Sequence, residues 1–341
     1  MLEAPPVRVG VIAFDLVRRR GGPPEESLWK CQCCGHLFTI DRRLAKCSLP
    51  YDVAVSESLD FLVHLLDLET IEVNIFRGTQ PNEERQRVFG GQVAAQALMA
   101  AGRTVDQGRV HSLHSYFLRP GDPKVPILYE VDRIRDGKSF TTRRVVAIQH
   151  GRAIYNMQAS FHTEEDGLDH QIAAPDVEQP ETIPTLFERI KAASNGQDID
   201  EWFKRQHPID QRFIGELPWS PTRPREPTKQ VWIKADGTLA DDQLLHACVV
   251  TYASDMSLFD AILGPHDIRW DDGTFMGASL DHCMWFHRQV KADEWLLYDM
   301  DSPIAHGARG VARGFLFNRS GELCVSMVQE GLTRIVTPRQ S

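Results

Sequence analysis

The sequence predicts an α+β protein built from two copies of one small unit, each a helix followed by a run of antiparallel strands. Three observations predict it. Helix-like and then β-like runs follow one another twice along the 341 residues. Gly137 and Gly307, Gly151 and Gly321, and Met157 and Met327 recur in the same order, each pair 170 positions apart. The β-like runs are punctuated by turn signals such as "RPGDP", "RDGKS" and "QHGR".

Residues 1–56 show no sustained periodicity and read as a Cys-containing, poorly structured extension. Unit 1 is expected over 57–165. Its helix spans 88–105, where Gly90 and Gly91 open the run and Val93, Ala97, Ala100 and Ala101 fall on one face. Such a small-residue face suits close packing on a sheet. The strands "VHSLHSYFL", "ILYEVDRIR", "FTTRRVVAIQ" and "AIYNMQASF" follow. Residues 166–228 hold eight of the 20 prolines and one helical island, "TLFERIKAA", and are expected to form a linker. Unit 2, over 229–341, begins with "KQVWIKADG". A helix is expected over 243–263, then strands at "GASLDHCMWF", "WLLYDM", "RGVARGFLFN" and "ELCVSMVQEGL". A helix wrapped by a curved antiparallel sheet, twice over, would place one site between the halves.

Composition excludes several classes. A formal charge of −9 argues against nucleic-acid binding, which needs a basic face. No apolar run approaches the roughly 18 residues that suggest a membrane span. The start lacks the pattern of a secretory signal, because the apolar core "VGVIAF" is short and its basic residues mostly follow it; an intracellular location is expected. Four of seven cysteines, Cys31, Cys33, Cys34 and Cys47, fall in the first fifty residues. "CQCCGH" contains a C-x2-C spacing that could grip zinc, but only Cys47 and His36 could complete the set. The expectation is therefore no metal. Cys248, Cys283 and Cys324 sit in apolar surroundings and read as core.

Chemistry-bearing differences between the copies lie in the second. "YASD" aligns with "FGGQ", putting Asp255 where the first copy has Gln92. "SLDHCMWF" aligns with "HSLHSYF", with Ser279 opposite Ser112 after a three-residue shift. Met327-Val328 matches Met157-Gln158, and Gln329 comes next. Asp255, Ser279 and Gln329 could thus converge at a sheet–helix boundary.

The motifs "RVFGGQVAAQAL", "VHSLHSYFLRPGDPK", "YASDMSLF", "SLDHCMWFHR" and "VQEG" resemble the bacterial thioesterase II and peroxisomal acyl-CoA thioesterase family, over about 57–335. The resemblance implies a double hotdog fold and hydrolysis of acyl-CoA to free acid and CoA. It also implies catalytic roles for Asp255, Ser279 and Gln329, with no metal or organic cofactor. Thioester chemistry suits this set, since thiolate is a good leaving group and a positioned water suffices as nucleophile. Asp255 would act as base, Ser279 and Gln329 would orient the water, and backbone N–H groups at Gly90-Gly91 would face the oxyanion. Asp281, His282 and His287 are expected to brace the site, His114 to line the pocket, and Met284-Trp285-Phe286 to pack the core. Arg119, Arg143, Arg144, Arg288 and Arg309 are candidates for holding CoA phosphates. The expected partners are an acyl-CoA substrate and further copies of the chain in a homo-oligomer. The C-terminus "TPRQS" lacks the Ser-Lys-Leu peroxisomal address, which favours the cytoplasm. Two other readings stay open. One is a non-catalytic acyl-CoA binding module. The other is a hotdog enoyl-CoA hydratase, although no Gly-Asp-x-Asn-Pro-x-His segment occurs; a serine hydrolase lacks its G-x-S-x-G elbow.

Overall fold

The computed structural model describes residues 7–9, 12–17, 26–31, 37–41, 57–81, 86–194, 198–199, 204–220, 222–266, 268 and 274–336. The chain divides into two compact units, Met1–Ala54 and Val55–Ser341. Within the first, strands β1 (Val7–Val9), β2 (Ile12–Val17), β3 (Glu26–Cys31) and β4 (Leu37–Asp41) form an antiparallel meander. The side chains of Cys31, Cys33, Cys34, Cys47 and His36, the expected candidates for a metal, lie outside the described residues.

The second unit opens with α1 (Glu57–Leu66), β5 (Glu69–Glu72), β6 (Ile75–Gly78) and α2 (Gly90–Gly102). Then come β7 (Arg109–Phe117), β8 (Ile127–Asp136), β9 (Phe140–Gln149) and β10 (Arg152–His162). The proline-rich stretch contributes α3 (Leu186–Ala193), closed by a Thr185–Glu188 capping box, and β11 (Ile209–Phe213). After β12 (Thr228–Ala235) come α4 (Gln243–Ser254) and the short α5 (Leu258–Leu263). Strands β13 (Phe275–Ser279), β14 (Asp281–Phe286), β15 (Leu296–His306), β16 (Arg309–Phe317) and β17 (Leu323–Ile335) complete the chain.

One antiparallel sheet joins the halves in the order β11-β12-β15-β16-β17-β14-β7-β10-β9-β8-β6-β5, with β13 also pairing β17. The halves meet along β7 and β14, where Leu113 faces Met284 and Ser115 faces His282. Each half thus runs outward from the seam in the same strand sequence. Gly151 and Gly321 occupy equivalent hairpin turns in the left-handed region, at φ 69° and 78°, which a glycine adopts without strain. Met157 and Met327 are both buried, on β10 and β17. Tyr129 and Tyr298 are likewise buried equivalents on β8 and β15. The architecture is a double hotdog.

Two helical expectations need revision. Helix α2 is buried from Gly91 to Ala101 on all sides rather than on one face. It lies on β8, β9 and β10 and also packs against α1 and α4, the environment expected of a helix apolar all round. The single helix expected over 243–263 is broken. Helix α4 stops at Ser254 and α5 begins at Leu258. Ser254, Asp255 and Ser257 are poor helix-interior residues. Ser254 Oγ bonds back to the Thr251 carbonyl, while the Asp255 and Ser257 side chains accept from Gln329 and Gln211, far away in the chain. Helix α5 rests on β15, β16 and β17, as α2 rests on β8, β9 and β10. Its close approach requires Gly310 and Gly331, where a Cβ would meet Ile262 at 2.3 Å and Phe259 at 2.2 Å.

Candidate active site

The break between α4 and α5 places Asp255. It caps the C-terminal end of α4 with φ −86° and ψ 0°, and its side chain turns to the start of α2. A Cβ on Gly90 would lie 2.7 Å from Asp255 Oδ2, and one on Gly91 would lie 2.4 Å from the Tyr252 carbonyl oxygen. Only glycines allow this approach. Phe89 and Tyr252 meet edge to face beside it, with ring centroids 5.0 Å apart.

All three expected residues converge. Gln329 Nε2 on β17 donates to Asp255 Oδ1 at 2.8 Å, and Ser279 Oγ at the end of β13 donates to the same oxygen at 3.3 Å. The Gly91 N–H also donates to the carboxylate. This engages one of the two backbone donors expected to face an oxyanion. Gln329 is buried, whereas Asp255 and Ser279 are half-buried. Burial raises the Asp255 pKa to about 6; the bonds from Gln329, Gly91 and Ser279 and the charge of Arg87 oppose that rise. Arg87, which the sequence reading missed, is tied to the Gly277 carbonyl on β13 at 2.9 Å.

The surrounding expectations divide. Asp281 Oδ1 accepts from the Glu330 N–H at 2.6 Å, bracing the residue after Gln329. His282 is fully buried, with Nε2 2.8 Å from Ser254 Oγ. His287 Nε2 lies 2.8 Å from Ser326 Oγ, away from the carboxylate. His114 is exposed and stands edge-on to Trp285 at 5.2 Å; it does not line the large cavity beside Asp255. Met284 and Phe286 are core, as are Cys248 and Cys324, while Trp285 and Cys283 are half-buried. Among the described residues no group of His, Cys, Asp and Glu is placed to hold a metal ion. Nor is any helix of the described residues long and apolar enough to cross a membrane.

Residues 79–162 match the acyl-CoA thioesterase N-terminal domain, and residues 194–332 match the acyl-CoA thioesterase family. Acyl-coenzyme A thioesterase 8 of Homo sapiens is 38% identical over 282 residues, covering 80% of this chain and 88% of that protein. Acyl-CoA thioesterase 2 of Haemophilus influenzae is 36% identical, covering 82% of this chain and 99% of its own length. The chain belongs to the acyl-CoA thioesterase II family. A crystal structure of acyl-CoA thioesterase II TesB2 from Mycobacterium marinum superposes with a TM-score of 0.66 at 41% identity, over 82% of this chain and all of that one.

Strand register shows how the two halves of this thioesterase-family chain differ. Arg143 pairs with Ala159 in the first half, and Ala312 pairs with Gln329 in the second, so Ala159 is the counterpart of Gln329. Met157 pairs with Ser115, and Met327 with Met284. Continuing that register past a bulge brings Phe161 opposite Val110 and Gly331 opposite Ser279. The counterpart of Ser279 is therefore Val110, not Ser112. The sequence alignment missed this because the bulge residue, His111 or Leu280, consumes a position in each strand. The first half offers Gln92, Val110 and Ala159 where the second has Asp255, Ser279 and Gln329. Gln92 is buried and hydrogen-bonded to Gln80 Oε1 at 3.0 Å.

Arg143 is withdrawn as a phosphate candidate. It is 1% exposed and donates to Thr104 Oγ1 at 2.8 Å, to the Thr104 carbonyl at 2.9 Å, to two further carbonyls and to Asp136. Arg144, Arg288 and Arg309 are paired with Asp132, Asp169 and Glu330 at the surface, and Arg119 donates to the Ala153 carbonyl.

Proposed function

We propose that this chain hydrolyses acyl-CoA to a free acid and CoA, with Asp255 as general base on a water and with Ser279 and Gln329 orienting the reacting groups. One observation carries the reading. A single carboxylate, pushed by burial to about pKa 6, is gripped by Gln329, Ser279 and the start of α2 at the break between α4 and α5. A base with that pKa is ionised at neutral pH yet basic enough to accept a water proton. Gln329 fixes the carboxylate at 2.8 Å. The Ser279 contact, at 3.3 Å, is long for a hydroxyl donor, which leaves Ser279 able to turn toward water or the thioester oxygen. The water's proton passes to Asp255 as its oxygen bonds to the thioester carbon. Collapse of the tetrahedral species breaks the C–S bond and releases CoA thiolate.

The acyl group enters a cavity of about 1040 Å³ bordered by Phe89, Tyr252 and Met256 next to Asp255, and by Leu62, Leu65 and Leu186 farther away. Each methylene buried there contributes up to about 0.8 kcal/mol, so longer chains gain kcat/KM until the cavity is filled. Halves 57–165 and 229–341 descend from one unit, and only the latter carries the chemistry. We place the protein in the cytoplasm as a homo-oligomer; exposed Tyr116, Leu128, Ile134 and Phe140 on β7–β9 offer apolar surface for self-association. Sedimentation and cell fractionation test those two points.

A thiol-release assay over acyl-CoA chain lengths, run on the wild type and on Asp255→Asn, tests the activity. Thiol release lowered at least about 10²-fold in the variant is expected. Undiminished release would remove Asp255 from the mechanism. Tight acyl-CoA binding without release in the wild type would favour a binding module.

A further inference from the structure

The residue before Asp255 is held at two atoms. Ser254 is fully buried, and its Oγ lies 2.8 Å from the Thr251 carbonyl oxygen and 2.8 Å from His282 Nε2. Its carbonyl oxygen accepts the Tyr298 hydroxyl at 2.8 Å. His282 is itself anchored across the seam, because Ser115 Oγ on β7 donates to its carbonyl at 2.7 Å.

Proton counting defines the bond. A serine hydroxyl has one proton, and Thr251 O can only accept, so Ser254 donates to Thr251. With His282 Nε2–H donating to Ser254 Oγ both 2.8 Å contacts are hydrogen bonds, whereas the other tautomer would leave one of them unmade and bury an unpartnered Nδ1–H. The other ring nitrogen, Nδ1, is buried and has no hydrogen-bond partner among the described residues. Burial lowers the His282 pKa to about 4, which keeps the ring neutral near neutral pH. No other titratable side chain contributes to that shift.

The equivalent bond is missing from the first half. There the register places Leu113 at the position of His282, and Gly91, in the "FGGQ" that aligns with "YASD", stands for Ser254. Tyrosine persists in both halves, but Tyr129 donates to Gln96 at 2.7 Å instead of to a helix-end carbonyl. A buried, neutral histidine has little value as packing where leucine serves equally well. It occurs only in the half that bears Asp255.

We propose that His282 and Ser254 form a positioning device for Asp255. The Nε2–H···Oγ bond, with Tyr298 on the adjacent carbonyl, sets where α4 ends and so aims the Asp255 carboxylate at Gln329, Ser279 and the Gly91 N–H. The pair touches no reacting atom. This inference rests on the reading of Asp255 as the catalytic base.

The test uses full-length His282→Leu, Ser254→Ala and His282→Gln in the thiol-release assay, with kcat, KM and the pH profile of kcat/KM measured beside thermal unfolding. Misplacing the carboxylate by about 1 Å should lower kcat about 10²-fold in His282→Leu and in Ser254→Ala, with KM within threefold. The acid limb should move to higher pH, because the hydrogen bonds that oppose the rise of the Asp255 pKa loosen. His282→Gln places an amide N–H near the lost donor and should recover at least a tenth of wild-type kcat. Ser254→Ala removes one atom and keeps the test available if His282→Leu does not fold. Variants that unfold earlier but keep wild-type kcat and acid limb would overturn the proposal. Asp255→Asn distinguishes the failures: if it hydrolyses normally, the catalytic reading itself falls. If Asp255→Asn is inactive while the pair variants stay at wild-type rate, only the positioning role falls.

Discussion

As the proposed base, Asp255 should couple activity to stability, and the coupling has a definite sign. Its folded pKa, about 6, lies above the ordinary 3.8 because burial disfavours the charged form. A raised carboxylate pKa means that the folded state binds the proton more tightly than the unfolded chain does. The resulting stabilisation is complete below about pH 3.8 and is lost as pH rises through about 6. Between pH 5 and pH 8 the linkage relation removes roughly 1.4 kcal/mol from the wild type. Asp255→Asn cannot titrate, so its unfolding free energy should gain on the wild type by that amount over the same interval. Solvent access to the half-buried carboxylate makes this figure a ceiling. Urea unfolding at the two pH values measures it. In parallel, kcat/KM of the wild type should fall about tenfold per pH unit below about pH 6. A stability difference that stays flat from pH 5 to 8, with an acid limb near pH 4, would refute the claim that burial tunes this group.

Further outcomes follow from other contacts. Gly90→Ala should fold but lose about 10²-fold in kcat in the thiol-release assay, because the added Cβ would sit 2.7 Å from Asp255 Oδ2 and 2.9 Å from the Phe117 ring. Arg143→Met should lower stability by about 1–3 kcal/mol in urea unfolding, since the Thr104 hydroxyl and carbonyl lose their buried donor, yet leave kcat within twofold. Leu186→Trp, on the half-buried cavity wall contributed by α3, should reduce kcat/KM for long-chain acyl-CoA at least tenfold while sparing short chains.

Much of the fold was legible because duplication leaves paired marks. Gly151 and Gly321 are constrained by positive φ in matching turns, and Met157 and Met327 by burial in matching strands, so both survive divergence. The candidate site was legible as an asymmetry, a carboxylate opposite Gln92 and an amide one residue beyond the Met157-Gln158 match. What escaped was set by tertiary contact. The end of α4 is invisible in "YASDMSLFDAIL", whose apolar residues continue at helical spacing. The break is held instead by Tyr298 and His282, which lie 44 and 28 residues from Ser254. Ser279 was matched to the wrong residue because a β-bulge cannot be seen in a single strand. Arg143 in "FTTRRVV" reads as surface, and only the Thr104 carbonyl and hydroxyl at the end of α2 explain its burial. Arg87 opens the run "RVFGGQVAAQAL", but nothing in that run marks its side chain for a role. Its relevance comes from β13, 190 residues away.

Whether Asp255 activates water or attacks the thioester itself is read most directly by a single turnover in oxygen-18 water with enzyme in excess. Mass spectrometry then follows both the released acid and the peptide containing Asp255. General-base hydrolysis predicts one labelled oxygen in the acid and none in the peptide. Label in the Asp255 carboxylate, or an acyl group carried on that peptide when the turnover is quenched part-way, would show that the side chain had formed a covalent acyl intermediate, contradicting the role assigned to it here.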